Sequence, residues 1–461
     1  MKSNLILNGI LNTDSYKLSH WKQYKPNTAT VVSYIESRGG SFDYTQFFGL
    51  QIYLKEYLSQ RITLEMIDQA EKIALAHGEP FNREGWEYIV TIHEGRLPLR
   101  VKAVREGTNL PTKNVLVTIE NTDPKCFWLP SYVETGALRA VWYGTTVSTV
   151  SKNIKKVIAE YLEDTGDPSL INFKLHDFGA RGVSSKESAG IGGAAHLVNF
   201  MGTDTIEGLL YAMEYYNTSE VPGYSIPAAE HSTITAYGRD GEVDAFRNML
   251  QQFGKKGALF AVVSDSYDIY NAVTNLWGGE LKQEVIDSGA TLVVRPDSGH
   301  PASVVLECVH RLDTAFGSVV NAKGYRVLNT VRVIQGDGIN EVSIREILFI
   351  LKMHGYSADN VAFGMGGALL QHMNRDTLQF AQKACAMLID GNWVDIYKDP
   401  VTDPAKKSKR GRLGLYKNEQ GEYYTDREDL TKESQLVTVF ENGTITKEWT
   451  FAEVREQANA S

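Results

Sequence analysis

Glu230 and His231, in the run VPGYSIPAAEHSTITAYG, set a carboxylate beside the side chain whose charge ordinarily changes near neutral pH. Such a histidine can act as a nucleophile or proton carrier, and an adjacent acid can orient it or take its proton. A lone histidine also serves structurally, and these residues alone leave both readings open. VVRPDSGH sets Arg295 and Asp297 on either side of a proline at the end of an apolar run. The arginine can donate to a carbonyl or phosphate, and the aspartate can accept from ribose hydroxyls. A structural ion pair or a turn cap fits the same residues. NVAFGMGGALLQ clusters Gly364, Gly366 and Gly367 between a strand-like and a helix-like stretch. Glycines there let backbone N–H groups approach phosphate oxygens at a helix start, and a tight turn that binds nothing is the alternative. Arg375 and Lys398 follow and favour phosphate. Five basic residues between Lys406 and Arg412 read as a solvated loop, an import signal or cations for a polyphosphate.

Other patterns exclude chemistry. GIGGAA, from Gly190 to Ala195, superficially fits a dinucleotide fingerprint, but no strand immediately precedes it and no ribose-binding acid follows in a βαβ context. Close helix packing is the expected use. His176, His196 and His231 lack zinc-ligand spacing, so no metal ligand is assigned. Cys126, Cys308 and Cys385 are sparse and odd in number, which suits a reducing compartment. A net charge of -9 argues against nucleic acid as the main partner and requires an anion site to gather its cations locally. The start of the chain is a poor signal peptide, and no apolar run of about 18 residues is present, so a cytoplasmic protein with no membrane span is expected.

These residues need a scaffold. To about residue 145, strand-like runs (TATVVSYIES, LPLRVKAV, NVLVTIEN) mix with helical patterns. Val147, Val150, Ile154, Val157, Ile158 and Tyr161 predict a helix stopped by Gly166. From about residue 170, apolar β-branched runs end abruptly in Gly, Asp or Ser and alternate with helix-like stretches. That alternation predicts parallel strands with crossover helices, and continuous apolar strands imply a sheet covered on both faces. Asp177, Asp265, Arg295, Asp297, Asp337 and Gly366 then fall just past strand C-termini, where ligands gather in such folds. The pattern leaves a closed barrel and an open sheet both possible. After Pro400 the chain turns basic and then strand-like, as if returning to the first domain.

Taken in order, TDSYK, YIESR, ENTDP, KLHDFGARGVSS, HLVNFMGTDT, VPGYSIPAAEHSTITA, VVSDSYDIYNA, VVRPDSG, VIQGDG, FGMGGALLQ and KDPVTDPAKKSKRGRL closely resemble the nicotinamide phosphoribosyltransferases, of the type II phosphoribosyltransferase family. The resemblance implies an irregular α/β barrel beside a discontinuous α+β domain, in a homodimer with active sites at the subunit interface. We expect an N-terminal α+β domain over 1–165, completed by 400–461, and a barrel-like catalytic domain over 166–399. The implied reaction joins nicotinamide to 5-phosphoribosyl-1-pyrophosphate in NAD salvage, with Mg²⁺ and with ATP as co-substrate through a phosphohistidine at His231.

By the same resemblance, Phe178 and a Tyr16 from the partner sandwich the pyridine ring, Arg295 donates to the carboxamide oxygen, and Asp204 accepts from its NH₂. Asp297, Gly336 and Asp337 contact ribose, and Gly366 and Gly367 cradle the 5′-phosphate. Ser225, Arg38, Arg181, Arg375, Lys398 and Lys406 join the phosphate and ribose set, with Arg38 and Lys398 arriving across the dimer interface. Glu230 and Asp297 polarise His231 or accept its proton, and Asp265 and Asp297 support Mg²⁺ through water. A carboxylate at Asp204 attracts an amide and repels nicotinate. Two unit charges about 4 Å apart interact by roughly 4 kcal/mol at an effective dielectric of 20. Nicotinamide is therefore expected, with nicotinate phosphoribosyltransferase activity as the alternative.

Overall fold

The apolar runs beyond residue 170 become a sheet in the order Gly202–Thr203, Leu175–Asp177, Val361–Met365, Val331–Gln335, Thr291–Arg295 and Leu259–Val263. Every neighbouring pair in it runs parallel. This is a computed structural model, and it describes residues 5–402 and 406–460. Parallel pairing explains the texture of the sequence: strands such as TLVVR and LFAVV are buried through most of their length, as crossover helices require. The helix Pro301–Phe316 buries Val305, Val309 and Leu312 on one stripe. The helix Glu341–Met353 opens with a capping box, in which the Asn340 side chain accepts from Ser343 N and Ser343 Oγ accepts from Asn340 N.

The two edges of this sheet are joined by one segment. Tyr224 bridges to Gly202 at one edge, and Ala228 bridges in parallel to Ala261 at the other. Tyr224 N donates to Met201 O at 2.7 Å, Thr203 N to Tyr224 O at 3.0 Å, and Ala229 N to Ala261 O at 3.0 Å. The open sheet thereby becomes an irregular α/β barrel. Ala261, Val293 and Ile334 form a buried interior cluster, against which Phe178, Ile226 and Ala362 pack.

The barrel belongs to a unit comprising Val150–Leu210 and Glu220–His372. The other unit runs to Thr149 and takes in Tyr211–Ser219 and the chain from Met373 onward. Its seven-stranded sheet has the order Asn392–Asp395, Phe380–Ile389, Thr28–Ser37, Val115–Asn121, Leu99–Ala103, Val437–Glu441 and Thr444–Ile445, with antiparallel neighbours throughout. The C-terminal contribution to this sheet starts at Phe380, ahead of the basic segment. The helix predicted from Val147 starts earlier and spans Glu134–Thr165. Gly136, in its first turn, lies against the Tyr53 ring, where a Cβ would stand 2.6 Å from it. Among the described residues, no helix is long and apolar enough to cross a membrane.

Candidate active site

Phe178 follows the strand Leu175–Asp177, and its N–H donates to Met365 O at 3.0 Å. Its ring occupies the space where Gly364 has no side chain: a Cβ at Gly364 would lie 1.9 Å from the ring. Gly364 therefore makes room for an aromatic face, and the phosphate reading of the glycine cluster does not extend to it. Gly336 approaches the same ring, with a Cβ position 3.4 Å from it and 3.5 Å from Arg295 Nε. The Arg295 guanidinium stands 5.5 Å from the Phe178 ring centroid. Arg295 Nη2 donates to Asp297 Oδ1 at 2.8 Å, and Nε donates to the same oxygen at 3.3 Å. Each end of the RPD motif thus holds the other, and the guanidinium keeps its Nη1 donors for a ligand.

Asp204 reaches this wall through its backbone, whose N–H donates to Asp177 O at 2.9 Å. Its carboxylate is exposed, and Oδ1 accepts from Ser225 Oγ at 2.5 Å. The structure thus places Ser225, expected among the phosphate and ribose contacts, as the partner of Asp204. Below the site, Asp177 is buried and accepts from Gly179 N at 2.7 Å. Burial, with a smaller contribution from the Asp204 charge, pushes its carboxyl up to about 6.

His231 opens the short helix His231–Thr235 directly after the segment that closes the barrel. Its Nε2 lies 2.9 Å from Asp265 Oδ1, while Asp265 Oδ2 accepts from Ser298 Oγ at 2.5 Å. The imidazole is 46% exposed and the Asp265 side chain only 5%, so a held carboxylate orients an accessible ring. This corrects the expected partners. Glu230 instead accepts from Ser232 Oγ, and the Asp297 oxygen that makes a bond is taken by Arg295. With Nε2–H donating to Asp265, the imidazole lone pair is on Nδ1.

Turns that follow the strands complete this mouth. Gln335 Nε2 donates to Asp337 O at 2.9 Å and fixes the turn that carries the exposed Asp337. Gly366 precedes the single turn Gly367–Leu370. The Gly182 and Gly367 backbones approach closely enough that a Cβ on Gly182 would sit 3.6 Å from Gly367 Cα, which brings the exposed Arg181 to the glycine turn. Other motifs are structural. Gly193, in GIGGAA, packs on Gly208 with 2.8 Å between its Cβ position and Gly208 Cα. His196 is buried between Ser151 Oγ and Gly202 O, each 3.1 Å away.

The remaining cations lie in the other unit. Arg38, Arg375, Lys398 and Lys406 line one cavity of about 210 Å³, together with Lys383, Gln382 and Glu134. Lys383 lies on the strand Phe380–Ile389 and is missing from the sequence-based set. Partial burial lowers its pKa; Glu134 opposes the shift, and Arg38, Lys17 and Lys398 add to it. The charge of Glu134 is engaged by Lys17 at 2.7 Å. Arg38 and Lys398, expected to arrive across a dimer interface, thus line the same cavity as Arg375 and Lys406. Tyr16 is in this unit too, 53% exposed and edge-on to His20.

Comparison with known proteins gives these sites a family. Residues 173–444 match the nicotinate phosphoribosyltransferase (NAPRTase) family, and residues 8–101 match the N-terminal domain of nicotinamide phosphoribosyltransferase. A nicotinamide phosphoribosyltransferase of Xanthomonas campestris pv. campestris is 57% identical over 98% of both chains. One from Acinetobacter baylyi is 31% identical over 98% of this chain and 97% of its own. In fold, the chain is similar to the crystal structure of nicotinate-nucleotide pyrophosphorylase from Pyrococcus furiosus, with a TM-score of 0.65, 17% identity and coverage of 100% and 96% of the two chains. It is also similar to human nicotinic acid phosphoribosyltransferase, with a TM-score of 0.57, 14% identity and coverage of 97% and 93%. The chain belongs to the nicotinate phosphoribosyltransferase family and, within it, to the nicotinamide phosphoribosyltransferases.

Proposed function

We infer that this chain is a pentosyltransferase of NAD salvage that joins nicotinamide to 5-phosphoribosyl-1-pyrophosphate, giving nicotinamide mononucleotide and pyrophosphate. The observation that carries the substrate is the carboxylate of Asp204, held by Ser225 beside the wall of Phe178 and Arg295. A flat ring stacks on Phe178. Asp204 accepts from the carboxamide NH₂, and Arg295 donates to its oxygen. The pyridine nitrogen attacks C1 of the ribose as the C1–pyrophosphate bond breaks. That nitrogen is neutral and nucleophilic, so the site needs no strong general base. Its task is to align the reactants and stabilise the leaving polyanion.

Asp297, Gly336 and Asp337 hold the ribose, and Gly366, Gly367 and Arg181 hold the 5′-phosphate. The cavity of Arg38, Arg375, Lys383, Lys398 and Lys406 supports a further phosphate site, contributed by the partner subunit of a homodimer together with Tyr16. Mg²⁺ would neutralise phosphate oxygens. Asp265 and Asp297 would support it through water, since their carboxylates already accept from His231, Ser298 and Arg295.

His231 couples the reaction to ATP. Its Nδ1 attacks the γ-phosphorus of ATP, the bond to ADP breaks, and water later returns the phosphoryl group as phosphate. Asp265 keeps the proton on Nε2 throughout, which leaves Nδ1 as the attacking atom. Initial rates with nicotinamide or nicotinate, each with and without ATP and Mg²⁺, test the whole reading. Preferential, ATP-stimulated synthesis from nicotinamide is expected. Preference for nicotinate would overturn the role of Asp204, and absence of ATP stimulation would overturn that of His231.

A further inference from the structure

Away from these sites, the unit built on the seven-stranded sheet brings a nitrogen, an oxygen and a sulfur together. His93 follows the helix Arg83–Ile92, while Asp123 and Cys126 belong to the turn Pro124–Cys126 and its cap, just after the strand Val115–Asn121. One candidate ligand atom from each of these three side chains lies within 4.8 Å of the other two. His93 Nε2 is 2.9 Å from Asp123 Oδ2, which also accepts from the Tyr88 hydroxyl at 3.0 Å. Asp123 Oδ1 accepts from Lys125 N at 2.8 Å, which fixes the turn and the direction of the carboxylate. Cys126 is fully buried and unpaired in a disulfide. The Cys385 thiol donates to Val32 O at 3.5 Å, but Cys126 Sγ has no such acceptor among the described residues.

Imidazole, carboxylate and thiolate are the donor set of zinc, whereas Mg²⁺ and Ca²⁺ select oxygen alone. Zinc–ligand bonds of about 2.0–2.3 Å put tetrahedral ligand atoms roughly 3.3–3.7 Å apart. Closing the sulfur onto the other two atoms therefore takes a movement of about 1 Å, and His93 Nε2 and Asp123 Oδ2, now 2.9 Å apart, must open by about 0.4 Å. The side chains of His93 and Asp123 are 23% and 17% exposed, which gives an ion access. Tyr88 and Lys125 of the same cluster line a neighbouring cavity of about 350 Å³, with Trp21 and Asn82. We propose that His93, Asp123 and Cys126 form a zinc site, distinct from the substrate sites, that clamps the end of one helix to a turn 30 residues further along the chain. Binding releases the thiol proton to solvent and moves the imidazole proton to Nδ1, so that Nε2 can ligate. The fourth position is left to water or to the Tyr88 hydroxyl.

The test uses the full chain, reduced and stripped of metal with a chelator, then titrated with Zn²⁺ alone and separately with Co²⁺ alone. Near-stoichiometric uptake is expected, and the cobalt form should show a thiolate-to-cobalt charge-transfer band. That band should vanish in Cys126→Ser and persist in Cys308→Ser. Zinc affinity should fall by more than about tenfold in His93→Gln and in Asp123→Asn. Absence of the band, or its survival in Cys126→Ser, overturns the proposal. If Cys126→Ser does not fold, His93→Gln decides, because His93 is partly exposed. Unchanged zinc affinity in that variant overturns the site, and a loss of more than about tenfold upholds it.

Discussion

Replacing Gly364 by alanine asks whether the aromatic face of the site depends on one missing side chain. The added Cβ would stand 1.9 Å from Cε2 of Phe178 and 2.1 Å from Cδ2. Carbon atoms rest at about 3.5–4.0 Å, so something must retreat by roughly 1.5 Å. The backbone has little room to yield. Gly364 pairs with His176 in the strand register, and its strand Val361–Met365 lies between Leu175–Asp177 and Val331–Gln335. The ring must turn instead, because Phe178 is tied by its N–H to Met365 O. Overpacking of this kind destabilises by about 1–3 kcal/mol. Stacking of a flat base on an aromatic side chain is worth about 1–3 kcal/mol, so kcat/KM for nicotinamide should fall by roughly five- to 150-fold. Initial rates at subsaturating nicotinamide measure the second effect, and urea unfolding measures the first. A kcat/KM within about twofold of wild type would refute the assignment of Phe178 as the stacking face. A double-mutant cycle sharpens the point: in a Phe178→Ala background the alanine at 364 has space, so its stability cost should largely disappear. Strictly additive costs would show that the clash is not with Phe178.

Further expectations follow from the same contacts. Asp265→Asn should lower ATP stimulation as His231→Ala does, while ATP-independent synthesis persists; full stimulation in either variant would remove the His231–Asp265 pair from coupling. Lys383→Ala should raise KM for phosphoribosyl pyrophosphate more than KM for nicotinamide, and equal changes in the two would detach this lysine from phosphate. Asp204→Ser should shift the ratio of kcat/KM values towards nicotinate by about tenfold or more, discounted for the exposure of this carboxylate from the 4 kcal/mol Coulomb figure. Asp177 gives a pH signature. Its folded-state value of about 6 lies above the ordinary 3.8, so the native state binds its proton more tightly than the unfolded chain does. Stability from this group is present below about pH 4 and lost as pH rises towards 6, by about 3 kcal/mol. Urea unfolding of Asp177→Asn and wild type across that range should show the variant gaining relative stability as pH rises, and parallel curves would refute the assignment.

The barrel strands were legible because parallel strands buried on both faces must be β-branched and apolar, and LFAVV and TLVVR carry that composition openly. Residues at or just past their ends, such as Arg295 and Asp297, were therefore placed by counting. The segment Tyr224–Ala229 was not legible as a barrel stave, because it joins each edge through an isolated bridge rather than a ladder with period-two alternation. The His231–Asp265 pair was equally hidden. Its members are 34 residues apart, and an adjacent glutamate offers a more obvious partner until the structure shows it occupied by Ser232. Lys383 sits in a strand whose pattern reads as structural, and its chemistry emerges only when the fold gathers Arg38, Arg375, Lys398 and Lys406 around it. Gly364 shows the converse case: a glycine cluster leaves phosphate binding and a tight turn both open, and only sterics place its first member against an aromatic ring.

The closing segment also explains why base recognition and the histidine sit so near each other in the sequence. Ser225 follows the residue that bridges one barrel edge, and His231 comes two residues after Ala229, which is bonded at the other edge. Between them the chain closes the barrel wall, with Ile226 packed against the cluster of Ala261, Val293 and Ile334. Ser225 is fixed to Asp204 and His231 to Asp265, so both ends of the segment are held by carboxylates. Asp265 follows the Leu259–Val263 strand at one sheet edge, and Asp204 follows Gly202–Thr203 at the other. In the proposed reaction, therefore, Ser225, which holds the carboxamide reader Asp204, and the phosphoryl acceptor His231 share one short segment anchored at both edges. A backbone shift there would be felt by both, which a substitution confined to either carboxylate would not reproduce.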